Sequence, residues 1–425
     1  MIKTSLMNNI LNIVKKDVFP ALGCTEPIAV AYAAAVARKY FTGEMDNVDI
    51  KVSKNIFKNG KAVIIPKVNE AGLDLAGALG FLSGNNTNGL MVLENIDEET
   101  IEYARNIIRA GKVKVSYLNT SLDVYVNVQV TGPESIVEVE LKDSHNHIER
   151  IRVDGQVVYQ AEEDISEAVS LDFFKDMTLK DIREVCETIP VEELDFIEAG
   201  INMNMKAAET GMSKKMGLNI GHAYLRLLKN NRLAKDTSMK ARILTAAACD
   251  VRMGGGNCPI MTSGGSGNQG LGVVLPIVAV AEDYGIERER LLRAVFLGHV
   301  VNRYVKTFTG KLSGMCGCSI AAGIGASAGI TWLLGGDDNK ISAACTNMLA
   351  NLTGMICDGA KETCTLKLST SASEAILAAY LAIEGLVLKG NVGIVGNTIE
   401  DTIRNVGVLA REGFKHVDDL LLEMI

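Results

Sequence analysis

Four of the nine cysteines are candidates for metal ligation: Cys316, Cys318, Cys357 and Cys364. Their spacing, Cys-x-Cys and then Cys-x6-Cys, matches neither a zinc ribbon nor the compact ferredoxin run. A continuous helix would hold the last two about 10 Å apart, too far for one cluster. Gly354 and Gly359 instead predict a bent loop that could bring them together. The spacing alone leaves two interpretations open, metal ligands or buried small hydrophobic residues.

The segment GCTEP, residues 23–27, places a cysteine where a helix is predicted to begin. The residues after it, IAVAYAAAVARKYF, form helix readily, and Pro27 suits a first helical turn. The positive end of the helix dipole would lower the pKa of Cys24 and favour its thiolate. Alternatively Thr25 or Glu26 caps the helix, a purely structural use. The residues alone favour neither interpretation.

A glycine-rich segment, GGGNCPIMTSGGSGNQG at residues 254–270, is a candidate anion site. Such a loop opening a helix presents backbone N–H groups to an anion. No G-x-x-x-x-G-K-[ST] sequence is present, which argues against a nucleoside triphosphate and favours a carboxylate. The alternative is a mobile surface loop. With the first segment it supplies the candidate substrate-binding residues: Thr25, Glu26, Asn257, Ser263, Ser266 and Asn268.

The five histidines are scattered and indicate no metal site. His145 and His147 form an H-x-H pair, but in the turn of a β-domain we expect them to be solvated. His222 and His299 fall in helical contexts and are expected to be packing or hydrogen-bonded residues.

The elements that must position these residues divide the chain in two. Residues 1–167 are predicted to form an α+β domain with a mostly antiparallel sheet, because β-branched runs alternate there with helix-like pieces. Those runs include KAVIIP and GLMVLEN. Residues 168–425 show 3.6-residue periodicity and predict a larger all-helical domain. We therefore expect an α+β protein whose first domain carries GCTEP and whose second carries the cysteines and the glycine-rich loop.

Composition excludes several classes of partner. The 43 Lys+Arg and 51 Asp+Glu residues give a net charge of −8, which disfavours nucleic acid and anionic membranes as partners. Residues 319–336 are uncharged but rich in Ala, Gly and Ser, which favours a buried helix over a membrane span. Nine cysteines without a secretory start indicate a reducing, cytoplasmic compartment. The sequence leaves a homodimer open.

Taken together, three segments resemble one family. GCTEP, the glycine-rich segment, and LSGMCGCSIAAGIGASAG followed by TGMICDGAKETC are similar to the iron–sulfur L-cysteine desulfidases. These resemble in turn the α-chain of the iron–sulfur L-serine dehydratases. The resemblance extends from about residue 5 to residue 410, and the order and spacing of the three segments carry it.

The resemblance implies a [4Fe–4S] cluster held by Cys318, Cys357 and Cys364, with one iron open and Cys316 a neighbour. It also implies that Cys24 is the proton acceptor. Two departures from the dehydratases favour the desulfidase: GCTEP replaces their S-H-T-x-G-P segment, and the chain ends in LLEMI without a cysteine.

The expected function is a lyase that converts L-cysteine to pyruvate, ammonium and sulfide. In that reaction Cys24 removes the α-proton and the glycine-rich loop holds the substrate carboxylate. Three alternatives stay open: deamination of L-serine, elimination by pyridoxal phosphate, and a non-catalytic protein that senses cysteine or iron. The pyridoxal-phosphate alternative lacks a lysine beside the glycine-rich loop, since none lies between Arg252 and Arg288.

Overall fold

The protein folds into helices and one large sheet arranged around two hydrophobic cores. The computed structural model describes residues 2–120, 122–162, 172–310 and 312–424. Its strands are β1 (Pro20–Ala21), β2 (Asn47–Ser53), β3 (Val113–Leu118), β4 (Tyr125–Thr131), β5 (Ile136–Lys142), β6 (Ile148–Val153), β7 (Gln156–Gln160) and β8 (Ile260–Met261). Its first helices are α1 (Ile2–Asp17), α2 (Thr25–Tyr40), α3 (Lys54–Gly60), α4 (Leu73–Ser83) and α5 (Glu98–Arg109).

The remaining helices follow the sheet in the chain. They are α6 (Asp172–Lys175), α7 (Leu179–Thr188), α8 (Asp195–Ser213), α9 (Ile220–Lys229), α10 (Thr237–Met253), α11 (Gly267–Tyr284), α12 (Arg288–Thr309), α13 (Gly323–Leu333), α14 (Asp338–Leu352), α15 (Cys364–Ile383), α16 (Ile399–Val408) and α17 (Val417–Met424). The predicted α+β class is confirmed.

The six-stranded sheet has the order β3-β2-β4-β5-β6-β7, and only the β2–β3 pair is parallel. Its strands alternate, as a half-buried sheet requires. Val126, Val128 and Val130 point into the core. On the other face Glu138 accepts hydrogen bonds from Asn127 and Arg152, both at 2.9 Å. One face of the sheet is therefore apolar and the other carries a polar ladder.

Helices α2 and α4 cover the apolar face, and α5 packs on α4. The small residues of α2 and α4 allow a close crossing, since a Cβ on Gly80 would lie 2.1 Å from the Ala31 carbonyl oxygen. The alanine-rich sequence of α2 thus serves close packing and places the helix start, at Cys24, at the edge of this core.

The second core is helical and is centred on α11. This helix is buried from Gly267 through Ala281, which explains why its sequence is apolar on every side. Residues 319–336 form part of the same core, in a π-helical turn (Cys318–Ala322) followed by α13. Within the described ranges no helix is both long and apolar enough to cross a membrane.

Helix α1 packs into the helical core rather than onto the sheet, through Ile10, Leu11 and Val14. Strand β1 then pairs with β8, joining Pro20 to Met261 in an antiparallel bridge. The N-terminal segment is therefore attached to the glycine-rich loop before the chain enters α2. The predicted domain boundary at residues 167 and 168 lies outside the described residues.

Two predicted strands are absent from the sheet. KAVIIP forms a single isolated bridge between Ile64 and Ala71, and GLMVLEN continues a 3-10 helix (Asn86–Met91) into turns. Both are short apolar runs that are buried as loops: Ile65 and Leu93 pack into the sheet core, and Val63 packs into the helical core. Periodicity alone does not separate such runs from strands.

Candidate functional site

A cleft between the two cores brings the three chemical segments together. Of the candidate site residues singled out from the sequence, those that line it are Cys24, Glu26, Ser266, Asn268, Cys316, Cys318, Cys357 and Cys364. Cys24 and the other four cysteines thus share one cleft, although roughly 290 residues separate Cys24 from Cys318. Helices from both halves of the chain build its walls.

Cys24 is the N-cap residue of α2, but its side chain does not cap the helix. The thiol instead donates to Glu26 Oε2 at 2.8 Å. The same oxygen accepts from Thr25 Oγ1 at 3.3 Å, and Glu26 Oε1 accepts from Asn59 Nδ2 at 3.0 Å. All four residues are buried, so the carboxylate is held by hydrogen bonds in a dry environment.

The pKa of Cys24 moves in the direction opposite to the prediction from the helix dipole. Burial raises the pKa of the Cys24 thiol well above its ordinary value, and the charge of Glu26 raises it further, while Arg252 opposes them. Desolvation and a neighbouring carboxylate outweigh the dipole, which acts through less than one unit charge. In this state Cys24 is a protonated thiol.

Glu26 stays ionised despite its burial. Burial raises its pKa, but His145, the Cys24 hydrogen bond and Arg252 more than offset this and bring the pKa below its ordinary value. His145 is itself buried, which corrects the expectation that it is solvated. The hairpin between β5 and β6 carries it toward the carboxylate.

The four candidate cysteines are positioned by an antiparallel contact between two loops. Cys316 N donates to Met355 O and Cys357 N donates to Gly314 O, both at 2.8 Å. Cys318 begins the π-helical turn and Cys364 begins α15. The interval from Cys357 to Cys364 is a loop rather than a helix, as the glycines predict.

The four cysteines supply the donor chemistry of an iron–sulfur cluster. Cys316, Cys318, Cys357 and Cys364 line one wall and interact electrostatically with one another. Among the described residues no group of three His, Cys, Asp or Glu side chains is placed to hold a metal ion. Cysteine thiolates are the usual protein ligands of a [4Fe–4S] cluster. The chemistry of the four side chains is therefore compatible with such a group.

The opposite wall is the start of α11. Ser266 is the N-cap of this helix and makes no side-chain cap bond. Asn268 Oδ1 accepts from Arg252 Nη1 at 2.9 Å, and both residues are buried. The glycine-rich segment is therefore an ordered wall of the cleft and not a mobile surface loop.

Three of the predicted substrate-binding residues do not line the cleft. Thr25 is buried and bonds Glu26, so it supports the site from behind. Asn257 is exposed. Ser263 is buried and accepts a hydrogen bond from Asn302 Nδ2 at 2.7 Å, with His299 Nδ1 at 2.8 Å. Burial lowers the pKa of His299 to about 3, so this histidine is neutral.

Sequence reasoning missed several polar residues of the cleft: Asn59, Arg252, Lys306 and Thr309. Nothing local singled out Arg252, because it lies in the last turn of α10, a helix that also carries Lys240, Arg242 and Asp250. The place of Asn59 depends on the packing of α3, which the sequence does not indicate.

Comparison with known proteins identifies the family. Residues 87–423 match the family described as serine dehydratase alpha chain. A protein of Clostridium botulinum is 50% identical over 423 residues, which cover 99% of this chain and 98% of the relative. A protein of Alkaliphilus oremlandii is 40% identical over 423 residues, covering 99% and 98%, and one of Caldanaerobacter subterraneus is 41% identical over 416, covering 97% of each.

This chain belongs to the serine dehydratase α-chain family. The relatives are each called a UPF0597 protein, a name that states no activity. Family membership indicates a lyase-type enzyme, and the family is associated with iron–sulfur clusters.

Proposed function

We propose that the protein is an L-cysteine desulfidase that eliminates sulfide from L-cysteine and releases pyruvate and ammonium. The observation that carries the proposal is the buried Cys24–Glu26 pair facing the cysteine wall across the cleft. A thiol hydrogen-bonded to a carboxylate stands here beside a donor set suited to an iron–sulfur cluster. The Cys24–Glu26 pair and the cysteine wall therefore belong to one site.

The cofactor of this proposal is a [4Fe–4S] cluster held by Cys318, Cys357 and Cys364. When bound, it would supply an open iron as a Lewis acid for the departing sulfur. Cys316 lies beside these ligands without being one of them.

The chain's own residues move the proton. The thiol of Cys24 accepts the substrate α-proton on Sγ while its own proton passes to Glu26 Oε2, 2.8 Å away. The electron pair of the broken Cα–H bond forms the Cα–Cβ double bond, and the Cβ–S pair leaves with sulfide. Aminoacrylate remains, tautomerises to an imine and is hydrolysed by water to pyruvate and ammonium.

This relay explains why a thiol with a raised pKa can still act in general-base catalysis. At rest, Cys24 carries a proton and Glu26 carries a negative charge, and the two residues together take up a second proton in the reaction. Asn59 holds Glu26 Oε1, so Oε2 stays turned toward Cys24. Burial excludes water that would otherwise exchange with the proton in transit.

The test is product formation from L-cysteine by anaerobically reconstituted protein, with sulfide and pyruvate measured separately. Equal amounts of both support the proposal, and the absence of sulfide from fully loaded protein overturns it. Cys24→Ser and Glu26→Gln should each reduce kcat about 10²- to 10⁴-fold, the usual cost of losing a general base. A residual rate above about a tenth of wild type would remove Cys24 from this role.

Deamination of L-serine is the second candidate, and the match to the serine dehydratase alpha chain favours it. The same elimination with hydroxide as leaving group would yield pyruvate without sulfide. Comparing kcat/KM for the two amino acids in one preparation decides between them.

A further inference from the structure

Arg252 is a buried cation with which no carboxylate of the described residues forms an ion pair. It lies in the last turn of α10, and the residue is 2% exposed. Nη1 donates to Asn268 Oδ1, while Nε has no hydrogen-bond partner among the described residues. Its charge acts on Glu26 through space, without a direct ion pair in the part of the chain that the structure describes. A buried guanidinium is costly unless an anion pairs with it.

A second source of positive potential converges on the same point. Helix α11 is 18 residues long and begins at Gly267, directly against the guanidinium. A Cβ on Gly267 would lie 2.4 Å from Arg252 Nε, so only glycine lets the two meet. The Ser266 side chain makes no cap hydrogen bond, so it does not occupy the first N–H groups of the helix. The helix dipole and the guanidinium both favour an anion here.

We propose that Arg252 and the first turn of α11 form the anchor for the α-carboxylate of the amino-acid substrate. The identity of that substrate as L-cysteine rests on the proposed function. Asn268 holds the guanidinium through Nη1, which leaves the rest of the planar fork for a carboxylate. The anchor lines the same cleft as Cys24, so a carboxylate held there keeps the α-carbon within the site that carries the proton relay.

The test compares two small thiols on anaerobically reconstituted protein by calorimetric titration. One probe is 3-mercaptopropionate, which has a carboxylate and no amine; the other is cysteamine, which has an amine and no carboxylate. Arg252→Gln should weaken the binding of 3-mercaptopropionate at least about thirtyfold, because the carboxylate loses a buried charged partner. It should change cysteamine binding less than about threefold, because the thiol and amine contacts remain. Equal weakening of both probes would mean that Arg252 is only structural, and would overturn the proposal.

A second variant tests the anchor independently in case Arg252→Gln does not fold. Asn268→Asp keeps the shape of the side chain and gives Arg252 a resident carboxylate, so it should fold normally and still lose the selective affinity for 3-mercaptopropionate. Arg252→Lys is the matched control, because it keeps the charge and loses the planar fork. Its affinity for 3-mercaptopropionate should lie between those of wild type and Arg252→Gln. If Asn268→Asp binds 3-mercaptopropionate like wild type, the anchor is elsewhere.

The two proposals fail separately. Wild-type protein that binds 3-mercaptopropionate through Arg252, yet releases no sulfide from L-cysteine, would refute the desulfidase function and support the anchor. Protein that turns over L-cysteine while Arg252→Gln and Asn268→Asp bind both probes normally would refute the anchor alone.

Discussion

Cys24 shows how burial and one neighbouring charge decide the state of a catalytic-type thiol. The N-terminus of α2 favours a thiolate, but Glu26 and desolvation raise the pKa of Cys24 instead. The helix start was predictable from GCTEP and the residues after it, because propensity and Pro27 mark it locally. The sign of the pKa shift was not, because it depends on the hydrogen bond to Glu26 and on burial by helices far along the chain.

The raised pKa of Cys24 predicts slow alkylation. In anaerobic protein at neutral pH, iodoacetamide should modify Cys24 slowly, since only the thiolate reacts. Glu26→Gln removes the charge that raises the pKa, so modification should speed up about tenfold for each unit by which the pKa falls. Mass spectrometry of digested protein measures each site.

Cys345 provides the control for this experiment. It is buried away from the cleft, and burial raises its pKa to about 12, so Glu26→Gln should leave its modification rate unchanged. Faster modification of both cysteines would indicate general loosening of the fold. An unchanged rate at Cys24 alone would contradict the electrostatic account.

Among the elements, the loops around Cys316 to Cys364 carry the proposed ligands. Cys318→Ala, Cys357→Ala and Cys364→Ala should each abolish or strongly reduce iron binding, because each removes one thiolate from the cluster. Cys316→Ala and Cys345→Ala should keep most of it. Iron and acid-labile sulfide per chain, together with visible absorbance, are the measurements. Iron lost with Cys316→Ala but kept with Cys318→Ala would exchange the roles of those two residues.

The bend after Cys357 depends on Gly359, which has a φ of +94° and sits against α3. A Cβ there would lie 2.5 Å from Lys58 O, whereas at Gly354, with a φ of +101°, it would meet nothing within 4 Å. Gly354→Ala should therefore cost only backbone strain, about 1–2 kcal/mol. Gly359→Ala should cost about 1–3 kcal/mol more, because the loop must shift. Urea unfolding gives both values, and equal losses would show that the close contact is not limiting.

At the scale of the whole molecule, ion pairs connect the last described helix, α17, to α3, and α3 contacts the cysteine loop. Lys58 on α3 donates to Cys357 O at 3.0 Å and pairs with Asp418 on α17, while Lys54 pairs with Asp419 at 2.5 Å. The Lys58 side chain is 1% exposed, but the Lys54 and Asp419 side chains are 24% and 43% exposed. The inner pair is therefore shielded from water and the outer pair is not.

Removing the two acidic partners should have unequal effects. Asp418→Asn leaves a buried ammonium without its counter-ion and should cost about 3 kcal/mol of unfolding free energy. Asp419→Asn removes a solvent-screened pair and should cost less than about 1 kcal/mol. Chemical denaturation of both variants in parallel measures the difference. Similar values would mean that Lys58 is satisfied by Cys357 O alone.

The sequence predicted the large features of this architecture better than the site. The strands β4 and β5 follow from β-branched residues in partial alternation, and α11 follows from its apolar run. The meeting of Cys24 with the cysteine wall could be expected only from the family resemblance. Arg252 and Asn59 were not predicted as cleft residues, since nothing local in a sequence indicates which distant helix will bury a charge or an amide.

The packing of α1 against helices far along the chain has a consequence for synthesis. The sheet core draws on residues 28–151, so it can form while the chain is still short. Helix α1 has its partners in α7 and α12 and in the rest of a core that extends to Ala410. At about 5–20 residues per second, translation completes α12 some tens of seconds after α1. Until α7 and α12 have been made, Ile10, Leu11 and Val14 lack these partners, so the nascent chain carries α1 with an uncovered apolar face.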